Sequence, residues 1–149
     1  MEFHALLDVD TNTLKSIRHP EGLQTFVMPA KYGELKRNFI PVKGKVIDGV
    51  YEIENREELL KNALMKNLKE DRDNALQSLV STQGKYIYDC RPQDFLNLVT
   101  GIELGQTEWL DANNEVIPTD VETLQAVLSE GKQKAKDIWK GFIESVKAL

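Results

Sequence analysis

The spacing of the apolar residues changes near Asn55, and this change restricts the folds open to the chain. Before Asn55, short apolar stretches alternate with glycine, proline and paired polar residues, whereas after it leucines recur every three or four residues. The first pattern is typical of strands and the second of helices. The sequence therefore predicts an α+β fold. A small N-terminal antiparallel β part (1–54) precedes a mostly helical C-terminal domain with a short hairpin (55–149), and a linking helix (56–80) joins the two.

The first part contains several strand candidates separated by turn signals. Residues 3–9 and 14–17 flank the polar run Asp10-Thr11-Asn12-Thr13, which favours a β-hairpin. Asp48-Gly49 is a strong signal for a second tight turn. Residues 29–38 show no clear period and are expected to form an exposed loop. The further strands are expected at 24–28, 39–42, 45–47 and 50–53.

The second part begins with Asn55 and Glu58, a variant of the capping box that satisfies free amides at a helix start. The helix is expected to reach about residue 80, and a short strand is expected at 86–88, after residues 81–84. Asp89 is expected to cap a helix that starts near Pro92, a residue suited to a first helical turn. The apolar stripe of that helix is predicted at Phe95, Leu96, Val99 and Ile102.

The last third of the chain predicts a hairpin followed by a long helix. Residues 107–110 and 115–118 flank a polar turn, and Thr119 with Glu122 forms a regular capping box. The final helix is expected to run to the C-terminus. Gly131 interrupts its apolar pattern and weakens the expectation of one straight helix.

Composition narrows the class of protein. The chain has 149 residues, a formal charge of −5 and a single cysteine, Cys90. The acidic balance argues against a nucleic-acid partner, because phosphate binding needs clustered Lys and Arg. The apolar runs are too short for a membrane span, and the acidic N-terminus does not resemble a secretory signal. A lone cysteine forms no internal disulfide, which suits a reducing compartment.

Few side chains suggest reaction chemistry. His4 and His19 lie in the β part without a third ligand at metal-binding spacing, and Cys90 has no evident histidine base. Two groups resemble fragments of calcium loops but lack the full ligand set, so turn formation explains them better. The expectation is therefore no enzyme activity, no catalytic or metal-binding residues and no cofactor. The calcium-like groups are Asp8 with Asp10, and Asp111 with Asn113 and Asn114.

Trp109 and Trp139 are the largest apolar side chains in the chain. In a small domain such residues usually belong to the core, and both are expected in the core of the C-terminal domain. The alternative is an exposed anchor for a partner, since aromatic residues dominate the energetics of interfaces.

The order of elements in residues 70–149 resembles an uncharacterised C-terminal domain family of small phage and prophage tail-associated proteins. The resemblance rests on Arg72-Asp73-Asn74-Ala75 ("R-D-x-A"), a short strand over 84–89, and residues 107–111 with Asn114 and Val116, which correspond to the "T-x-W-x-D-x-N" signature of the family. The first half is similar more loosely, through "D-x-D-T-N-T-L" at 8–14 and "D-G-V-Y-E" at 48–52.

The resemblance implies a structural virion protein of the tail, near the baseplate or at a tail-fibre attachment, made in the host cytoplasm and acting through protein–protein contacts. An assembly factor that leaves the finished particle is an alternative. A small enzyme or ligand-binding domain is a third possibility, which would need a pocket gathering His4, His19 or Cys90 with carboxylates. The expected partners are other tail or baseplate proteins, with self-association left open. Short strands in the β part suggest docking through the 3–17 hairpin or the 46–54 strands, because free sheet edges accept further strands.

Overall fold

A computed structural model describes residues 1–19 and 37–149, and it has the predicted α+β architecture. The chain divides into two compact units, residues 1–67 with Leu149 and residues 68–148, and the division falls inside the first helix. The helices are α1 (Arg56–Gln77), α2 (Phe95–Leu104) and α3 (Val121–Lys147). The strands are β1 (Glu2–Asp8), β2 (Thr13–Arg18), β3 (Phe39–Ile47), β4 (Val50–Ile53), β5 (Val80–Gln83), β6 (Tyr86–Asp89), β7 (Glu108–Leu110) and β8 (Val116–Pro118).

The N-terminal unit is built on an antiparallel sheet whose described strands follow the order β2-β1-β3-β4. Alternate residues of β1 point to one face and are fully buried there. Leu60 of α1 packs against this core, as do Leu14 of β2 and Tyr51 of β4. The buried core residues are Phe3, Ala5, Leu7, Val42 and Ile53.

Strand β3 corrects the prediction of two separate strands at 39–42 and 45–47. It is continuous, because β1 pairs with its first seven residues and β4 with its last four. Gly44 lies where these two pairings overlap, and a Cβ there would be 2.0 Å from the Glu52 carbonyl oxygen. This glycine therefore permits a close backbone approach instead of breaking the strand. The expected strand at 24–28 lies outside the described residues, as does most of the expected loop at 29–38.

The two predicted hairpins of this unit are present. The β1–β2 hairpin turns at residues 9–12, and the β3–β4 hairpin turns at Asp48-Gly49. Asp48 and Gly49 have φ angles of 51° and 78°, the left-handed pair that a tight two-residue hairpin requires.

The C-terminal unit has a third hairpin that the sequence pattern did not predict. Helix α1 ends at Gln77 instead of residue 80, and β5 pairs with β6 across a turn at Gly84, whose φ is 62°. Residues 81–83, where the sequence pattern predicted no strand, therefore belong to β5. The core of this unit consists of Leu76, Leu79, Tyr88, Cys90, Leu98, Ile117, Leu124, Val127 and Ala135.

Neither of the two later helices is capped by the residue that the sequence predicted. The side chain of Asp94, not that of Asp89, accepts the Arg91 amide at 3.0 Å and organises a 3₁₀ turn (Pro92–Asp94) that leads into α2. Helix α3 is capped by Asp120, which accepts the Thr123 amide at 2.7 Å. Thr119 instead places its hydroxyl 3.0 Å from that of Tyr88.

Two further expectations, the buried stripe of α2 and the interruption of α3 at Gly131, also differ from the structure. Leu98 is the buried leucine of α2, whereas Leu96 is 74% exposed. Helix α3 continues without interruption through Gly131, where a Cβ would lie 2.7 Å from the Cys90 carbonyl oxygen. The glycine is needed there because the helix passes close to the backbone of another segment.

Candidate functional site

The two histidines lie in the N-terminal unit without forming a metal centre. The ring of His19 packs on Tyr51, and its Nε2 is 3.1 Å from the Tyr51 hydroxyl. Tyr51 also makes an edge-to-face contact with Phe3 at 5.0 Å, which extends the core. Across residues 1–19 and 37–149, no three His, Cys, Asp or Glu side chains are grouped so that they could hold a metal ion.

His4 lines an open groove of about 500 Å³ at the end of the sheet. Three carboxylates, Glu2, Glu52 and Glu54, line the groove with it, as do Lys43 and Lys45. This groove brings His4 together with carboxylates. If the chain were a small enzyme or a ligand-binding domain, its site would be expected here.

Cys90 is fully buried in the core of the C-terminal unit. Burial raises the pKa of its thiol, since a thiolate loses hydration in an apolar environment. The protonated and enclosed thiol is unsuited to nucleophilic attack.

The acids that resemble calcium-loop fragments organise turns, as expected. One Asp8 oxygen accepts the amides of Asp10 and Thr11 at 3.1 and 3.3 Å. One Asp111 oxygen accepts the amides of Asn113 and Glu115, both at 2.9 Å. In both turns, the carboxylate therefore accepts hydrogen bonds from the backbone of its own turn.

A polar cluster that the sequence did not reveal joins β5 to α3. The buried Ser81 hydroxyl donates to Glu130, whose other oxygen lies 2.7 Å from Lys134 Nζ. The hydrogen bonds from Lys134 and then from Ser81 lower the pKa of Glu130, and the bond to Glu130 raises the pKa of Lys134. At neutral pH both groups stay charged, so Glu130 is a weaker base than an ordinary carboxylate and the protonated Lys134 amine is not a nucleophile. Its role is to fix the hairpin on the helix.

Trp109 borders an exposed apolar groove of about 470 Å³ between α2 and the β7–β8 hairpin. The ring is partly buried against the core and lies over Gly101, so the expectation of a core position for Trp109 is met in part. Leu104 and Val116, both 68% exposed, line the groove beside it, together with the exposed Leu110. Neighbouring apolar side chains left in water are typical of a surface that binds a partner.

The prediction that Trp139 lies in the core is wrong, because its side chain is 45% exposed. The Arg72 guanidinium lies 4.7 Å from the centroid of its ring and 4.6 Å from that of Phe142. The two rings meet edge to face at 5.8 Å. This cation–π arrangement attaches α1 to α3 at the surface of the C-terminal unit.

The outer strands of the described sheet are β2 and β4. Strand β4 begins with the exposed Val50, which pairs with the exposed Ile47 of β3. Strand β2 carries the exposed Lys15 and Arg18 and is irregular, since Ser16 has a φ of 51° and the β1–β2 register shifts between His4 and Leu6. Charges and bulges protect an edge, so β4 is the more accessible of the two.

Comparisons with protein-family models, with curated proteins and with solved structures found no match to this chain. None of the described helices is both long and apolar enough to span a bilayer.

Proposed function

We propose that the chain is a structural protein of a phage tail, located near the baseplate or at a tail-fibre attachment, which acts through protein–protein contacts. Support comes from the order and spacing of the residues that resemble the tail-associated family. These residues fall within one compact unit, 68–148.

The residues that carry the resemblance shape surfaces. Arg72 stacks on Trp139 and Phe142, Trp109 borders the apolar groove, and Asp111 organises the turn between β7 and β8. Each of these roles determines what the unit presents to a partner, which is the property a structural component requires.

The observation that carries the proposal is the position of β4 at the edge of the described sheet. Its outward backbone groups and the adjacent Ile47 and Val50 offer both hydrogen bonds and apolar surface to an extended segment of another tail protein. Docking through this edge agrees with the expected use of the 46–54 strands.

Quantitative mass spectrometry of purified virions tests the proposal. A structural protein is present in a fixed ratio to known tail proteins. If the chain is absent from virions but co-purifies with a tail protein during assembly, the assembly-factor alternative is correct. Its absence from both virions and tail intermediates would refute both readings.

Val50→Lys tests the docking edge. Val50 is exposed, so a lysine there places a charge beside β4 with little effect on the core. We expect incorporation into tails to fall. Val80→Lys is the matched control, because Val80 is a partly exposed valine on a strand of the other unit. Equal incorporation of the two variants and the native chain would exclude docking through β4.

A further inference from the structure

Charge is strongly segregated within the C-terminal part of the chain. Residues 92–131 contain eight acidic residues and no Lys, Arg or His, whereas residues 132–149 contain five lysines and two acidic residues. A net charge of −8 is therefore followed directly by one of +3. The overall charge of −5 conceals this division.

The acidic segment forms the apolar groove beside Trp109. Glu108 lines the groove, and Glu103 and Glu115 are exposed chain neighbours of two lining residues, Leu104 and Val116. We call this surface the acidic groove. With apolar walls and the Glu108 carboxylate in its lining, it suits a segment that combines apolar anchors with positive charge.

The basic segment is the C-terminal part of α3 and forms an amphipathic stripe. At 3.6 residues per turn its members fall within an arc of about 100°, in which four lysines lie next to two apolar side chains. Trp139 and Ile143 are the apolar pair, 45% and 44% exposed. The full stripe, here called the lysine stripe, is Lys132, Lys136, Trp139, Lys140, Ile143 and Lys147.

We propose that the acidic groove of one copy binds the lysine stripe of a second copy. The two surfaces are complementary in charge, and each exposes apolar side chains that burial would remove from water. Because both surfaces are exposed in the same chain, they do not cover each other, and pairing them requires two molecules.

This contact joins two different surfaces, so each copy that binds through its groove still has a free stripe. Such head-to-tail contacts continue until a ring closes, or they form an open filament. The inference does not depend on the phage assignment.

Sedimentation velocity of the full-length chain over a range of concentrations tests the proposal. We expect concentration-dependent species larger than a dimer, and their loss as salt is raised, because exposed charges are screened. Glu108→Lys in the groove together with Glu103→Lys next to its lining residue Leu104, or Lys136→Glu with Lys140→Glu in the stripe, makes the two surfaces alike in charge. Each double variant is expected to weaken association by about tenfold or more.

The decisive measurement mixes the two double variants. The reversed groove of one variant then faces the reversed stripe of the other, and the unchanged surfaces also remain complementary. Association is therefore expected to return in the mixture. Lys61→Glu with Lys69→Glu is the control, because it reverses two exposed lysines of α1 and changes net charge as the stripe variant does.

Three outcomes would overturn the inference: the native chain stays monomeric, the double variants associate as the native chain does, or their mixture fails to associate. Binding of the monomer to anionic phospholipid vesicles, lost in the stripe variant, would assign the stripe to a membrane surface instead. Circular dichroism of every variant separates loss of contact from loss of fold. Virion incorporation is not measured in these experiments. A negative result for self-association therefore does not affect the proposed function, and a negative result in virions does not affect the proposed self-association.

Discussion

The indole ring of Trp109 occupies the space that a side chain at position 101 would need. A Cβ on Gly101 would lie 2.4 Å from Cζ3 of Trp109 and 2.8 Å from Cη2. The ring therefore rests directly on the backbone of α2, and the depth of the acidic groove depends on the absence of a side chain at Gly101.

Gly101→Ala is expected to displace the Trp109 ring. Overpacking of this kind costs about 1–3 kcal/mol, which exceeds the gain of about 1 kcal/mol from replacing a helical glycine by alanine. Fluorescence in a Trp139→Phe background isolates Trp109, and we expect its emission to shift to longer wavelength as the ring becomes more exposed. An unchanged spectrum and unchanged stability would contradict the observed contact.

Two glycines of α3 form a matched pair. A Cβ at Gly131 meets the Cys90 carbonyl oxygen at 2.7 Å, whereas a Cβ at Gly141 meets nothing within 4 Å. Gly141→Ala should stabilise the chain by about 0.5–1 kcal/mol through helix propensity. Gly131→Ala should be less stable than Gly141→Ala by about 1–3 kcal/mol, because its methyl group is obstructed. Urea denaturation measures both, and equal effects would mean that α3 does not pass close to Cys90.

Arg72→Lys keeps the positive charge but removes the planar group that stacks on Trp139. We expect a loss of about 0.5–2 kcal/mol in the free energy of unfolding, measured by urea denaturation. Lys69→Ala, an exposed change on the same helix, is the control and should have little effect. A variant as stable as the native chain would show that charge alone accounts for the role of Arg72.

The ionisation of Glu130 is expected to make the free energy of unfolding depend on pH. Its pKa is lowered in the folded state from the ordinary value of 4.5 by Lys134 and Ser81, so its ionised form stabilises the fold above that value. The contribution is lost as pH falls through the lower folded pKa. In urea denaturation at several pH values, the stability difference between the native chain and Glu130→Gln should therefore be largest near neutrality and shrink below about pH 4.5.

Glu144→Gln removes the same charge from an exposed position of α3 and is the control for this series. A stability difference between the native chain and Glu130→Gln that does not change with pH would contradict the ionised hydrogen bond.

For α1, the local pattern located the start of the helix better than its end. The change of period at Asn55 placed the start of α1 correctly, at Arg56. It overran the end, because Leu79 continues the helical spacing although it lies beyond Gln77 in the core. The sequence pattern predicted no strand at Ser81. Its burial in β5 depends on Glu130, 49 residues away, and no local pattern reveals that partner.

The choice between apolar neighbours also depends on tertiary packing. Leu96 and Leu98 are equally apolar, yet only Leu98 is buried. Trp139 lies on the apolar face of α3 but beyond the part of the helix that the core covers. By contrast, the absence of basic residues from 92–131 is visible in the sequence, and counting the charges of that segment would have indicated its acidic character, although not the groove.

The enclosure of Cys90 gives the C-terminal unit a built-in reporter of its own opening. The single thiol of the chain is fully buried and lies against Gly131 of α3, so a labelling reagent reaches it only after this packing separates. When labelling of the opened state is slower than reclosing, the observed rate is set by the population of that state. The lifetime of the unreacted thiol thus measures how often α3 leaves its neighbours, without any added probe.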